Sequence, residues 1–314
     1  MNIFVIAFKF NDIFYAQSIP EFEKASKRIL IKFVSKNFSQ VPFPREDLFS
    51  KVYSMPINAE KISVSIPAIL FRVSRLLREI GQKKRNILIT SNIELIITRF
   101  IAKRRLFDSI ILLEDGLMNY YYPIKKSIGL KKVVEFFLNI NFDYIKEKIS
   151  CTYLNNPDLA VYFFGRKIKF PHIGFPESSS LAHKLSNKKL FIGGGYFENL
   201  NYRSKFNIIE YLKEFENVDY FIPHHFDTFP WSDTFETIDL QSEQSTLEMI
   251  FHEINNISIY GFGTSVQLNA LFRDVNCNIV FIEYTNTNDQ NVAFEYIKRK
   301  SIKLLNVDFL IEKN

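Results

Sequence analysis

Ser109-Ile110-Ile111-Leu112-Leu113-Glu114-Asp115-Gly116 is the stretch on which the fold turns. A continuous apolar run without polar alternation is the pattern of a strand buried on both faces, as in the parallel sheets of α/β proteins. The run stops abruptly at two adjacent carboxylates and a glycine. In open α/β sheets ligands bind beyond the carboxyl ends of the strands, and a glycine lets backbone or substrate come close. Glu114, Asp115 and Gly116 are therefore candidate site residues. The competing reading is that one of the two acids caps a helix beginning near Leu117.

Outward from this strand the first half alternates. The patterns predict a strand over 3–8, a helix over about 21–36, an extended piece near 51–57, a helix over about 61–80, a strand at 86–90 and a helix over about 92–103. That is βαβ logic. Residues 117–150 read as helical with breaks at Pro123 and Gly129, and 151–187, with Pro157, Pro171, Gly174, Pro176 and a serine run, read as a crossover. The second half resumes with strands at 189–193, 218–222, 235–240, 256–261 and 277–283, and helices over about 202–216, 245–254, 264–273 and 289–300. The expected architecture is α/β with two Rossmann-like domains, 1–150 and 188–314, facing across a cleft and joined by 151–187.

The 314 residues, 47% apolar and 16% aromatic, suffice for two cores. Cys151 and Cys277 stand far apart with no Cys or His ligand spacing, which argues for a reducing compartment and against structural zinc. Met1-Asn-Ile-Phe-Val-Ile-Ala-Phe lacks a basic leader, and no segment is long and apolar enough to span a bilayer, so a cytoplasmic protein is expected. Charge is uneven: residues 1–150 hold 25 Lys and Arg against 14 Asp and Glu, and 151–314 hold 15 against 20. Arg72, Arg75 and Arg78 recur every third residue on an amphipathic helix, with Lys83, Lys84 and Arg85 just beyond. Such a face is either simply solvated or attracted to an anionic surface such as the inner face of the cell membrane. No nucleic-acid motif accompanies the charge, so nucleic acid is not an expected partner.

Three strands of the second half run into chemically loaded turns: 189–193 into Gly193-Gly194-Gly195, 218–222 into Pro223-His224-His225, and 256–261 into Gly261-Phe262-Gly263-Thr264-Ser265. Parallel strands place these ends along one edge. Thr264 and Ser265 open a helix after glycines, a setting that suits a phosphate through backbone N–H groups and the helix dipole. Equally, Thr264 is an ordinary helix N-cap. The triglycine has neither dinucleotide-fingerprint nor P-loop spacing.

Together, Glu114-Asp115-Gly116, Pro223-His224 and Gly263-Thr264-Ser265 resemble the acidic-Gly, His-Pro and Ser/Thr-Ser motifs of bacterial GT-B sialyltransferases, in particular the lipooligosaccharide sialyltransferases of glycosyltransferase family 52, with capsule sialyl- and polysialyltransferases as relatives. The likeness covers residues 109–116 and 189–273. One departure is that His225 stands where the family has proline, so His224 takes the motif position with His225 as the alternative. The resemblance implies an inverting transfer of sialic acid from CMP-sialic acid to a galactose-type hydroxyl of a glycan or glycolipid. Asp115 would then be the base, Glu114 its orienting partner and His224 the group at the leaving phosphate, which Thr264 and Ser265 would hold from the other side. Domain 1–150 would take the acceptor and domain 188–314 the CMP-sugar. The chain contains no Asp-x-Asp, so no metal and no cofactor are expected, and a homodimer is an expected partner state. The alternatives are a GT-B transferase with another donor, such as CMP-Kdo or a nucleotide-diphosphate hexose, and a non-catalytic glycan-binding or assembly protein.

Overall fold

The computed structural model describes residues 1–8, 10–35, 45–57, 62–80, 86–120, 130–171, 180–194, 197, 200–223, 236, 254–272, 276–284 and 292–311. The chain divides into two compact units, Met1–Asn119 with Pro123–Gly174, and Tyr120–Tyr122 with Phe175–Asn314.

In the first unit the elements are β1 (Asn2–Ala7), α1 (Phe10–Ser18), α2 (Pro20–Glu23), β2 (Lys27–Ser35), β3 (Lys51–Ile57), α3 (Ile62–Ile80), β4 (Asn86–Thr90), α4 (Ile96–Ala102), β5 (Ser109–Leu113), α5 (Leu130–Phe137), α6 (Phe142–Glu147), β6 (Ile149–Leu154) and β7 (Arg166–Lys169). The strands form one sheet in the order β3-β2-β1-β4-β5-β6-β7. Every pairing in it is parallel. Central strands are buried on both faces, and Ile3, Phe4, Val5, Ile6 and Ala7 of β1 are all fully inaccessible. Removing an aliphatic side chain of this size from water is worth about 1.5–3 kcal/mol. The strand order reverses between β1 and β4, the place where open sheets leave a crevice at their carboxyl edge.

The second unit holds α7 (Ser180–Leu185), β8 (Lys189–Ile192), α8 (Tyr202–Glu214), β9 (Tyr220–Ile222), β10 (Ile257–Gly261), α9 (Ser265–Phe272), β11 (Cys277–Glu283), α10 (Val292–Lys300) and β12 (Lys303–Asn306). Its sheet runs β12-β11-β10-β8-β9. All four pairings are parallel. Here the order reverses between β8 and β10. Aromatic packing dominates the core: Phe191 stacks on Phe221 and meets Phe197 edge-on.

Several sequence expectations need correction. The helix expected over 21–36 ends at Glu23, and Lys27–Ser35 is β2. Leu30 and Ile31, on opposite faces of that strand, are both fully buried, so its sequence lacks the alternation that separates a strand from a buried helix. The helical reading of 117–150 gives way to a 3₁₀ turn at Gly116–Tyr120, then α5 and α6. The stretch from 151, read as a crossover, instead supplies β6 and β7 to the first sheet. β7 is an edge strand whose Arg166, Lys167 and Lys169 are exposed, and charges of this kind shield sheet edges while erasing the apolar signal of a strand. α7 and β12 have no counterpart among the expected elements. The strand expected at 235–240 and the helix at 245–254 lie outside the described residues except for Glu236 and Ile254.

Candidate functional site

At the carboxyl edge of the first sheet, β4 runs into Ser91-Asn92-Ile93-Glu94 and β5 into Glu114-Asp115-Gly116. The two adjacent acids are fastened to opposite neighbours of β5. Glu114 is completely buried and accepts hydrogen bonds from the backbone N–H of Asn155 (2.6 Å) and from its side-chain amide (2.9 Å), just beyond β6. Asp115 is half-buried and accepts from the Nδ2 of Asn92 (2.9 Å), just beyond β4. The same Asn92 uses its Oδ1 to accept from the backbone N–H groups of Glu94 (3.0 Å) and Leu95 (3.2 Å), so the residue that holds Asp115 is itself fixed by the turn into α4. Asp115 donates its backbone N–H to Asn119 Oδ1 (2.7 Å), and Asn119 donates in turn to the carbonyl of Tyr162 (2.8 Å). Gly116 turns the chain at φ +56°, a left-handed value that a side chain would strain.

Asn92, Glu94, Asp115, Met118, Asn119 and Tyr162 stand on the wall of a recess at this edge. Tyr162 donates its hydroxyl to Glu94 Oε1. Burial above all, then the hydrogen bond and charge of Glu94, push its phenol well above the ordinary range. Glu94 also pairs with the buried Arg99 at 2.5 Å, and Arg99 pairs at the same distance with Glu135 and lies over the ring of Phe142 at 3.6 Å. Buried ions are tolerated when paired in this way. The recess thus offers two half-exposed carboxylates, Asp115 and Glu94, the second already engaged by Arg99 and Tyr162, beside amide and phenol groups held in place. Asn92, Glu94, Asn119 and Tyr162 are not among the residues that sequence reasoning selects. For Asn92 and Glu94 a signal existed: they follow the strand predicted at 86–90, at the edge where ligands bind.

At the carboxyl edge of the second sheet, Gly193 continues the ladder by donating to the carbonyl of Ile222 (2.9 Å), and Pro223 follows β9. A Cβ on Gly194 would stand 2.8 Å from the methyl of Thr264, so the ends of β8 and β10 meet there, at the reversal of strand order. Thr264 is the N-cap of α9. Its hydroxyl accepts from the N–H of Gln267 (3.2 Å), while Gln267 Oε1 accepts from the N–H groups of Gly263 and Thr264 (3.0 Å each), a reciprocal capping box. The other end of the Gln267 amide donates to the Val280 carbonyl (3.0 Å). The glycines are explained by packing: a Cβ on Gly261 would meet Gln267 at 2.7 Å, and one on Gly263, at φ +81°, would meet Phe294 at 2.5 Å. Thr264 is buried and Ser265 half-buried. Gly195, His224 and His225 lie outside the described residues. Among the described residues no group of three His, Cys, Asp or Glu side chains is gathered.

No family model matches the chain, and no curated protein matches it. Solved structures do. The chain is similar to Arabidopsis thaliana UGT89C1 complexed with UDP at a TM-score of 0.55 and 11% identity, covering 99% of this chain and 86% of that one. It is also similar to S. aureus MnaA with UDP (TM-score 0.49, 10% identity, 95% and 87% covered) and to E. coli ADP-heptose lps heptosyltransferase II (0.41, 11%, 98% and 90%). With its two parallel sheets flanked by helices, the chain has a GT-B-like fold of two Rossmann-like domains.

Proposed function

We propose that this protein is a metal-independent, inverting glycosyltransferase that moves sialic acid from CMP-sialic acid to a galactose-type hydroxyl of a surface glycan such as a lipooligosaccharide or capsule. The observation that carries it is Asp115, a half-exposed carboxylate at the carboxyl end of a buried central strand, aimed by Asn92 and facing the recess by Tyr162. Asp115 takes the proton of the acceptor hydroxyl as its oxygen attacks the anomeric carbon. The bond from that carbon to the phosphate oxygen breaks, and CMP leaves with its charge met by a hydrogen bond or proton from His224. That role of His224, and the choice of sialic acid, rest on the motif resemblance. Glu114 acts on the base only indirectly, because both its oxygens are engaged by Asn155.

A second reading is a transferase with another nucleotide-sugar donor, whose phosphate would meet the same turn. The N–H groups of Gly263 and Thr264 are already spent on Gln267, which leaves the Thr264 hydroxyl and Ser265 as the groups for a phosphate at this turn. Incubation with CMP-sialic acid and a panel of galactosides, read by mass spectrometry, tests the first reading. Calorimetry with CMP and UDP separates the two. Transfer only from a nucleotide-diphosphate sugar would replace the first with the second, and binding of neither nucleotide would remove both.

A further inference from the structure

Helix α5 is turned the unusual way round. Its acidic residue faces inward, Glu135 pairing at 2.5 Å with Arg99, whose guanidinium is buried. Its apolar stripe faces outward: Val133, Phe136 and Phe137, spaced three and four residues apart, are 50%, 82% and 79% exposed. Water would ordinarily select the reverse. The internal ion pair fixes the helix in this orientation, so the aromatic stripe is a built feature of the first unit.

Exposed acids, Asp143 and Glu147, sit on α6, and exposed cations accompany the stripe. Lys132 is exposed beside it. The last turn of α4 and the residues after it tie α5 to α3: Lys103 donates to the carbonyl of Leu138, just past α5, and Arg104 donates to Ser74 of α3 (3.3 Å). Residues 96–105 carry no acid, and beyond the buried, paired Arg99 they supply Lys103, Arg104 and Arg105. On α3, Phe71 is 67% exposed and Arg72, Arg75 and Arg78 are exposed with it. Exposed phenylalanines set among Lys and Arg on neighbouring helices match the headgroup region of an anionic bilayer, where rings enter the acyl boundary and cations meet phosphate. We propose that the α3–α4–α5 face docks on anionic lipid, with Phe136 and Phe137 inserting and the arginines of α3 supplying the attraction. This assignment is independent of the donor and of the reaction.

The test is flotation of the full-length protein with vesicles of phosphatidylcholine and phosphatidylglycerol, against vesicles of phosphatidylcholine alone. The expected result is binding to the anionic vesicles only, weakened about tenfold or more in a Phe136→Ser/Phe137→Ser double variant, since each ring contributes its burial. An Arg72→Ser/Arg75→Ser/Arg78→Ser variant should lose binding at low salt and differ little from the parent at high salt, where screening has removed the attraction. Phe136, Phe137 and the three arginines are all exposed, so circular dichroism and melting should be unchanged in both variants. No binding to anionic vesicles at low salt overturns the proposal. So does a double phenylalanine variant that binds like the parent, and so does a concentration-dependent dimer abolished by that variant in the absence of vesicle binding, which would make the stripe a contact between copies.

Discussion

Glu114 and Asp115 share a strand end and a chemistry, yet their neighbours give them different work. Asn155 occupies both oxygens of Glu114, while Asp115 keeps surface toward the recess. Asp115→Asn should therefore cost about 10²–10⁴ in turnover, the usual worth of a positioned base, with nucleotide binding and melting temperature retained. Turnover near the parent level in a folded Asp115→Asn protein would sink the assignment. Glu114→Ala should do the opposite in kind: it removes the buried carboxylate that the two Asn155 donors meet, at about 1–3 kcal/mol, and a lowered melting temperature is the reading to take. The acid pair was legible in the sequence because an apolar run ending in charge is a local pattern. Which acid faces out was not, because the deciding amides lie 23 and 41 residues away. The histidines remain a matter of motif: His224→Ala should reduce turnover far more than His225→Ala, and a larger loss at His225 would reverse the roles.

At the scale of the element, the turn from β10 into α9 shows how one pattern serves two readings. Glycines before Thr264-Ser265 suggest a phosphate cradle, but Thr264-x-x-Gln267 is also a capping box, and the structure uses it as one. Gln267 then links α9 to the carbonyl of Val280 on β11 from a fully buried position. Gly263→Ala should destabilise the protein by about 1–3 kcal/mol, because the new methyl group adds strain at a left-handed φ and overpacks against Phe294. The denaturant midpoint measures this, and an unchanged midpoint would refute the packing account. Strand β2 reads as a helix in sequence for a related reason: where both faces are buried, period cannot discriminate and length or flanking residues must. Strand β7 escapes a sequence reading because Ile168 is its single apolar residue among lysine and arginine, too little for a strand pattern.

At the scale of the molecule, alternation of strand and helix made two parallel sheets legible, but the extent of the first unit, through β7, depends on pairings no local window contains. The absence of Asp-x-Asp in the chain leads to one expectation for the proposed reaction: activity with a CMP-sugar should persist in EDTA, and its loss with rescue by Mg²⁺ or Mn²⁺ would favour a diphosphate donor. A second expectation concerns stability and pH. Tyr153 and Tyr162 of the first unit are pushed upward chiefly by burial, with the negative charges of Glu21 and Glu94 beside them, and Tyr260 of the second unit is pushed up to about 12 by burial and by Glu216. In each case the folded protein holds the phenolic proton more tightly than the unfolded chain, whose tyrosines titrate near 10. Their contribution is thus complete below about pH 10 and is lost as pH climbs toward the folded values. The denaturant midpoint should be flat through neutral pH and fall steadily above about pH 10. Tyr260 donates to Glu216 at 3.3 Å inside the core, so Tyr260→Phe should lower stability slightly at neutral pH while making the alkaline fall shallower. A fall of undiminished slope in that variant would show that Tyr260 does not carry the effect, and stability that rises above pH 10 would contradict the buried phenols altogether.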